Sequence, residues 1–134
     1  MSRISPDDYD ALASFRYLLR KFLRFSKDFL KENGNLNPEQ YEALLAVKAF
    51  GPQLTISQLS ERLQIKHHSA VNIVDRLAER KLITREKTQT DRRLRNVQLT
   101  VKGEKLIEEL AMTHRKEMAT RSSEMIKVLE RLRQ

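Results

Sequence analysis

Residues 55–77 read TISQLSERLQIKHHSAVNIVDRL, and this stretch decides the fold. It opens on Thr55, a suitable helix N-cap, and Gln58 three residues on completes a capping-box pattern. Ile56, Leu59 and Leu63 then fall on the buried face of a short helix. A break at about Lys66 leads into the next helix, whose inward positions are Ala70, Ile73, Val74 and Leu77. Beyond it, Leu82 to Glu86 and Asn96 to Thr100 alternate apolar and polar residues, as two short strands would. The residues between them, Lys87 to Arg95, are polar and basic, the composition of a hairpin tip. Two short helices with a tight connection and a basic hairpin behind them make a winged helix-turn-helix.

Outward from this centre, each upstream helix has its own start signal. Ser5-Pro6-Asp7-Asp8 places a capping hydroxyl, then Pro at the first helical position, then acids where the helix dipole favours them. Leu12, Phe15, Leu19, Phe22, Ser26 and Phe29 form one stripe of a helix running to about Glu32. Asn33-Gly34 is expected to stop it, with Gly in the left-handed conformation. Asn37-Pro38-Glu39-Gln40 starts a second helix, which carries Tyr41, Leu44, Leu45 and Val47 towards Gly51-Pro52. Downstream, Thr100 can cap a last helix bearing Leu106, Ile107, Leu110, Met118, Met125 and Leu129. The expected fold is mainly α with a small β-hairpin. It is a single domain in which a winged helix (about 37–100) lies between N- and C-terminal helices (about 5–33 and 101–134).

Composition narrows the function. The 134 residues carry 26 Lys and Arg against 18 Asp and Glu, a formal charge of +8. Between Lys66 and Gln98 there are nine basic residues and four acidic ones, so +5 of that charge lies on the second helix of the pair and the hairpin. A helix fits the major groove and a two-stranded ribbon reaches the neighbouring backbone or minor groove, so the charge sits where a nucleic-acid surface would be. With no cysteine there is no disulfide, thiolate metal site or thiol switch. The longest apolar runs are far short of the roughly 20 residues that span a bilayer, and no secretory signal opens the chain, so the expected address is cytoplasmic with no membrane partner. No Gly-rich phosphate loop, paired carboxylates or nucleophile motif points to an enzyme, and no catalytic residue is expected.

Several segments resemble the MarR family of transcription regulators: Leu63-Gln64-Ile65, Val74-Asp75-Arg76-Leu77, Leu82-Ile83-Thr84-Arg85, Asp91-Arg92-Arg93 and Val97 to Gly103. Their order and spacing match the family along essentially the whole chain. The resemblance implies a homodimer whose terminal helices interlock and present two winged helices to a palindromic operator in double-stranded DNA. It also implies a repressor released by a small-molecule effector, phenolic or anionic, bound between the dimerisation helices and the DNA-binding lobes. No cofactor is implied. By the same resemblance Arg93 enters the minor groove with Asp91 orienting it, while Arg92 and Arg95 contact phosphates. The chain departs from the family pattern where Gln64 and Lys81 stand in place of Gly, which calls for another turn geometry or a strained residue. Lys66 also replaces the small polar cap usual before the recognition helix.

The recognition helix can be read residue by residue. Opposite its inward face lie His68, Val71, Asn72 and, one turn on, Arg76. Asn72 is suited to a bidentate pair with adenine, and Val71 to a thymine methyl. His67, His68 and Ser69, near the helix N-terminus, can donate to phosphate or guanine. Blander roles compete. Adjacent His67 and His68 point about 100° apart with no ligand partner at metal spacing, so no metal is expected. Asp75 and Arg76 are either a local ion pair or DNA contacts. The first-helix run of Arg16, Arg20, Lys21, Arg24, Lys27 and Lys31 is expected to be a solvated face, and the Phe15, Phe22, Phe29 stripe core or dimer interface. The competing function is an architectural or RNA-binding module using the basic surface without sequence readout.

Overall fold

A computed structural model describes residues 3–87 and 95–133. In chain order the elements are α1 (Pro6–Gly34), α2 (Pro38–Phe50), α3 (Ile56–Leu63), α4 (His67–Glu79), β1 (Ile83–Lys87), β2 (Arg95–Leu99) and α5 (Val101–Leu132). Three helices open with reciprocal capping boxes. Ser5 and Asp8 exchange hydrogen bonds of 3.0 and 3.1 Å, and Asn37 and Gln40 bonds of 2.9 and 2.8 Å. The Thr55–Gln58 bonds are 2.9 and 3.3 Å. Each box satisfies N–H groups that a helix start leaves without an intrahelical partner. At α5 the Thr100 hydroxyl accepts from the Gly103 N–H at 3.0 Å and donates to the Lys81 carbonyl at 2.7 Å. The start of α4 has no side-chain cap, which is what Lys66 in place of a small polar residue entails.

The helix ends correct one expectation and resolve another. Asn35 (φ 49°), and not Gly34, takes the left-handed conformation at the end of α1. Gly34 instead lies close against α5, where a Cβ would stand 3.1 Å from a Leu110 methyl and make that side chain give way. Gln64 (φ 54°) and Lys81 (φ 60°) both accept the left-handed region where glycine would be unstrained. At each, the residue's N–H bonds a carbonyl three back and the next N–H one five back: Gln64 to Glu61 and Ile65 to Ser60, Lys81 to Ala78 and Leu82 to Leu77. This is the Schellman pattern, and Leu77 and Leu82 supply its accompanying buried contact.

The strands pair antiparallel, with Ile83 opposite Leu99 and Arg85 opposite Val97. The Val97 N–H also reaches the Leu54 carbonyl, tying the hairpin to the α2–α3 connection. The core joins Leu44 and Val47 of α2, Ile56 and Leu59 of α3, Ala70, Val74 and Leu77 of α4 and Ile83 and Val97 of the hairpin. Leu30 of α1 and Ile107 and Leu110 of α5 close it from the other side. Each large side chain there contributes about 1.5–3 kcal/mol by leaving water. Gly103 marks the closest approach, because a Cβ would fall 2.0 Å from the Leu82 carbonyl oxygen.

The helices α1 and α5 run antiparallel. Gly34 lies against Leu110 at one end, and at the other Arg131 donates to Asp7 at 2.5 Å and to Asp10 at 3.0 Å. The expected α1 stripe is displaced at its start, where Ala11 is buried and Leu12 is 49% exposed. Leu45 of α2 and Met118 and Leu129 of α5 are also exposed. No described helix is long and apolar enough to cross a membrane.

Candidate nucleic-acid interface

The geometry of α4 follows from the burial of one face. Ala70, Val74 and Leu77 are completely buried against α2, α3 and the hairpin, which fixes the rotation of the helix. His67, His68, Asn72 and Arg76 are consequently exposed, while Ser69, Val71, Ile73 and Asp75 are half-buried. Val71 and Ile73 pack against the margin of the core, so part of the Val71 surface expected to meet a thymine methyl is used in packing. The polar side chains form a continuous outward surface along the first three turns.

Asp75 resolves a choice left open by sequence. It forms an ion pair with Arg85 of β1 rather than with its neighbour Arg76. The pair braces α4 against the first strand of the hairpin, and Arg76 stays on the exposed face. Asp91, Arg92 and Arg93 lie outside the described residues. Arg95 opens β2 opposite Lys87. Among the described residues no group of three or more His, Asp or Glu is placed to hold a metal, and His67 and His68 have no such companions. The six cations of α1, Arg16, Arg20, Lys21, Arg24, Lys27 and Lys31, are all exposed.

Three features escape sequence reading because they depend on tertiary neighbours. The guanidinium of Arg80, at the end of α4, donates to the carbonyls of Gly34 and Asn35 at 2.9 and 2.8 Å. A cavity of about 540 Å³ lies between α2 and α5, lined by Leu45, Ile107, Ala111 and Met112 and by Lys48, Glu104, Glu108 and Arg115. Lys48 and Glu104 pair across it at 2.6 Å. Finally, His114 of α5 is buried in a ring of Phe22, Phe25 and Phe29 from α1 and Tyr41 from α2, the last stacked at 4.5 Å between centroids. Its Nδ1 lies 2.8 Å from the Leu110 carbonyl, which can only accept, so Nδ1 carries the proton. Nε2 is hydrogen-bonded with the Ser26 hydroxyl at 2.8 Å. Burial pushes the pKa of the Tyr41 hydroxyl up. A single histidine with an interior hydroxyl partner has almost no sequence signature.

The MarR family model matches residues 35–94, from the end of α1 into the hairpin. The Bacillus subtilis transcriptional regulator MhqR is 31% identical over 94 residues, which are 70% of this chain and 61% of that protein. The Bacillus subtilis transcriptional repressor MdtR is 29% identical over 101 residues, 75% of this chain and 64% of that protein. The chain thus spans a little under two thirds of these curated relatives. In three dimensions it resembles the MepR–DNA complex structure from S. aureus, at TM-score 0.71 and 25% identity over 84% of this chain and 81% of that one.

Proposed function

We propose that the chain is a member of the MarR family and that it is a homodimeric, sequence-specific regulator of transcription that binds double-stranded DNA. The observation that carries this reading is the exposed face of α4: His67, His68, Asn72 and Arg76 stand over a sealed core, beside a hairpin that holds much of the positive charge. In the dimer, residues of about 37–100 form the DNA-binding lobe, and the helices of about 5–33 and 101–134 join the copies. The two α4 helices enter successive major grooves, about 34 Å apart along the duplex. Asn72 reads adenine, Arg76 and the residues near the N-terminus of α4 meet guanine or phosphate, and Arg93 reaches into the minor groove beside Asp91. Similarity to MdtR, a repressor, supports the same sign of regulation here. The α2–α5 cavity is a suitable place for a phenolic or anionic effector, with an apolar wall and Lys48 and Arg115 nearby. By binding one lobe spacing better than another, an effector shifts the dimer away from the form that fits DNA. The role is regulatory rather than enzymatic, and a cytoplasmic location goes with it.

The test is selection of a duplex from a random pool, followed by footprinting and competition. A palindromic footprint is expected, with affinity falling as salt rises by a log–log slope of about −0.9 per phosphate neutralised. Asn72→Ala and Arg93→Ala are expected to weaken binding to the selected duplex by roughly 5- to 150-fold each, the range for loss of a good base contact. Equal affinity for selected and random duplexes would return the protein to the class of basic modules without sequence readout.

A further inference from the structure

The recognition helix α4 ends on a polar junction that joins it to both long helices. Arg80 follows its last residue, and the guanidinium reaches past the helices of the lobe to the terminal carbonyls of α1. Those carbonyls have no intrahelical partner, and a cation there is favoured by the dipole of α1. The backbone of the same residue is held from α5: Lys102 Nζ donates to the Arg80 carbonyl at 3.1 Å. One residue on, the Thr100 hydroxyl donates to the Lys81 carbonyl, and the Thr100 N–H donates to the Leu82 carbonyl at 3.0 Å. The C-terminal end of α4 is therefore anchored to the end of α1 and the start of α5 within three consecutive residues.

Leverage makes this anchor matter. With 13 residues, α4 is roughly 20 Å long. A tilt of about 10° around its anchored end moves the opposite end by roughly 3.4 Å, the rise of one base pair. Most of the residues proposed to meet DNA, His67 to Asn72, lie in the half of α4 away from that anchor, and Arg76 lies nearer to it. A planar guanidinium donating to two carbonyls resists such a tilt better than one single-point contact. We propose that Arg80 is a positioning residue that fixes the angle between the recognition helix and the long-helix pair, and so sets the half-site spacing that the dimer accepts. This rests on the dimeric DNA-binding reading above.

The experiment measures binding to the selected duplex and to versions whose half-sites are moved apart or together by one or two base pairs. A duplex with one half-site serves as reference. The wild-type protein is expected to lose roughly 5- to 150-fold in affinity per base pair of offset, the cost of a base pair whose contacts are misplaced. Arg80→Ala is expected to lose less than about threefold, at nearly unchanged single-half-site affinity, and Arg80→Lys to fall between them. A wild-type spacing profile in Arg80→Ala, or an equal loss at every spacing, overturns the role of Arg80 and leaves the DNA-binding reading intact. A flat profile in the wild-type protein overturns the dimeric reading beneath it. Should Arg80→Ala fail to fold, Arg80→Lys decides: a broadened profile supports the positioning role and a wild-type profile overturns it.

Discussion

The winged lobe and the α1–α5 pair solve the same problem to different degrees. In the lobe, inward side chains from five elements meet one another, and Ala70, Val74, Leu77 and Leu82 are completely buried. The two long helices bury far less along their length. Beyond the junction with the lobe, α1 exposes Tyr9, Leu12, Tyr17 and Leu23, while α5 exposes Met112, Met118, Ile126 and Leu129. Isolated exposed apolar residues are ordinary, but four on each of two packed helices are more than the lobe leaves uncovered, and clustered exposure of this kind is what an interface uses. The difference teaches that the lobe buries its core within one chain, while the helix pair leaves exposed the apolar side chains that the proposed dimer would cover.

Substitutions can break or sharpen this contrast. Leu77→Ala, at the centre of the lobe, is expected to cost about 2–5 kcal/mol in denaturant unfolding. A loss below about 1 kcal/mol would mean that the lobe core is less tightly sealed than its burial indicates. Lys81→Gly removes the left-handed strain at the end of α4 and is expected to stabilise the protein by about 1 kcal/mol. Destabilisation would show that the Lys81 side chain supplies more than the strain removes. Leu12→Ala with Met118→Ala is expected to change the stability of the isolated chain by no more than about 0.5 kcal/mol per site. In sedimentation the same pair should weaken self-association, and unchanged association would place the interface elsewhere.

The smallest effect concerns the far end of the helix pair. Arg131 beside Asp7 holds its carboxyl below the ordinary value of 3.8. A depressed carboxylate contributes stability above its unfolded pKa and loses that contribution as pH falls through the folded value. The stability difference between wild type and Arg131→Ala should therefore be present at neutral pH and vanish below the carboxylate range. A difference that persists in acid would assign the effect to packing of the arginine stem.

Much of the architecture was legible because its signals are local. Ser5, Asn37, Thr55 and Thr100 cap the helices they were expected to cap, and each acts within three residues of itself. The buried face of α4 was legible in part: Ala70, Val74 and Leu77 are buried as expected, while Ile73, also expected inward, is half-buried at the margin of the core. The phase of α1 was less so. With apolar residues on more than one face, its sequence cannot distinguish the Ala11 side from the Leu12 side without α5 in place. Asp75 found its partner on a strand rather than at the next position, and Arg80 found its partners about 45 residues away. Such pairings are decided by the packing of separate elements and leave no spacing to read. The wing residues Asp91, Arg92 and Arg93 lie outside the described residues.

Thr100 carries a consequence for which amino acids this fold can tolerate. Helix N-caps are usually interchangeable among Ser, Thr, Asp and Asn, since an oxygen acceptor is all that the first turn demands. Here the same oxygen must also donate a proton to the Lys81 carbonyl. An aspartate would cap α5 correctly and turn a second acceptor against that carbonyl. A saturation library at position 100 should therefore retain serine and reject aspartate, a preference invisible to any rule that scores the cap alone.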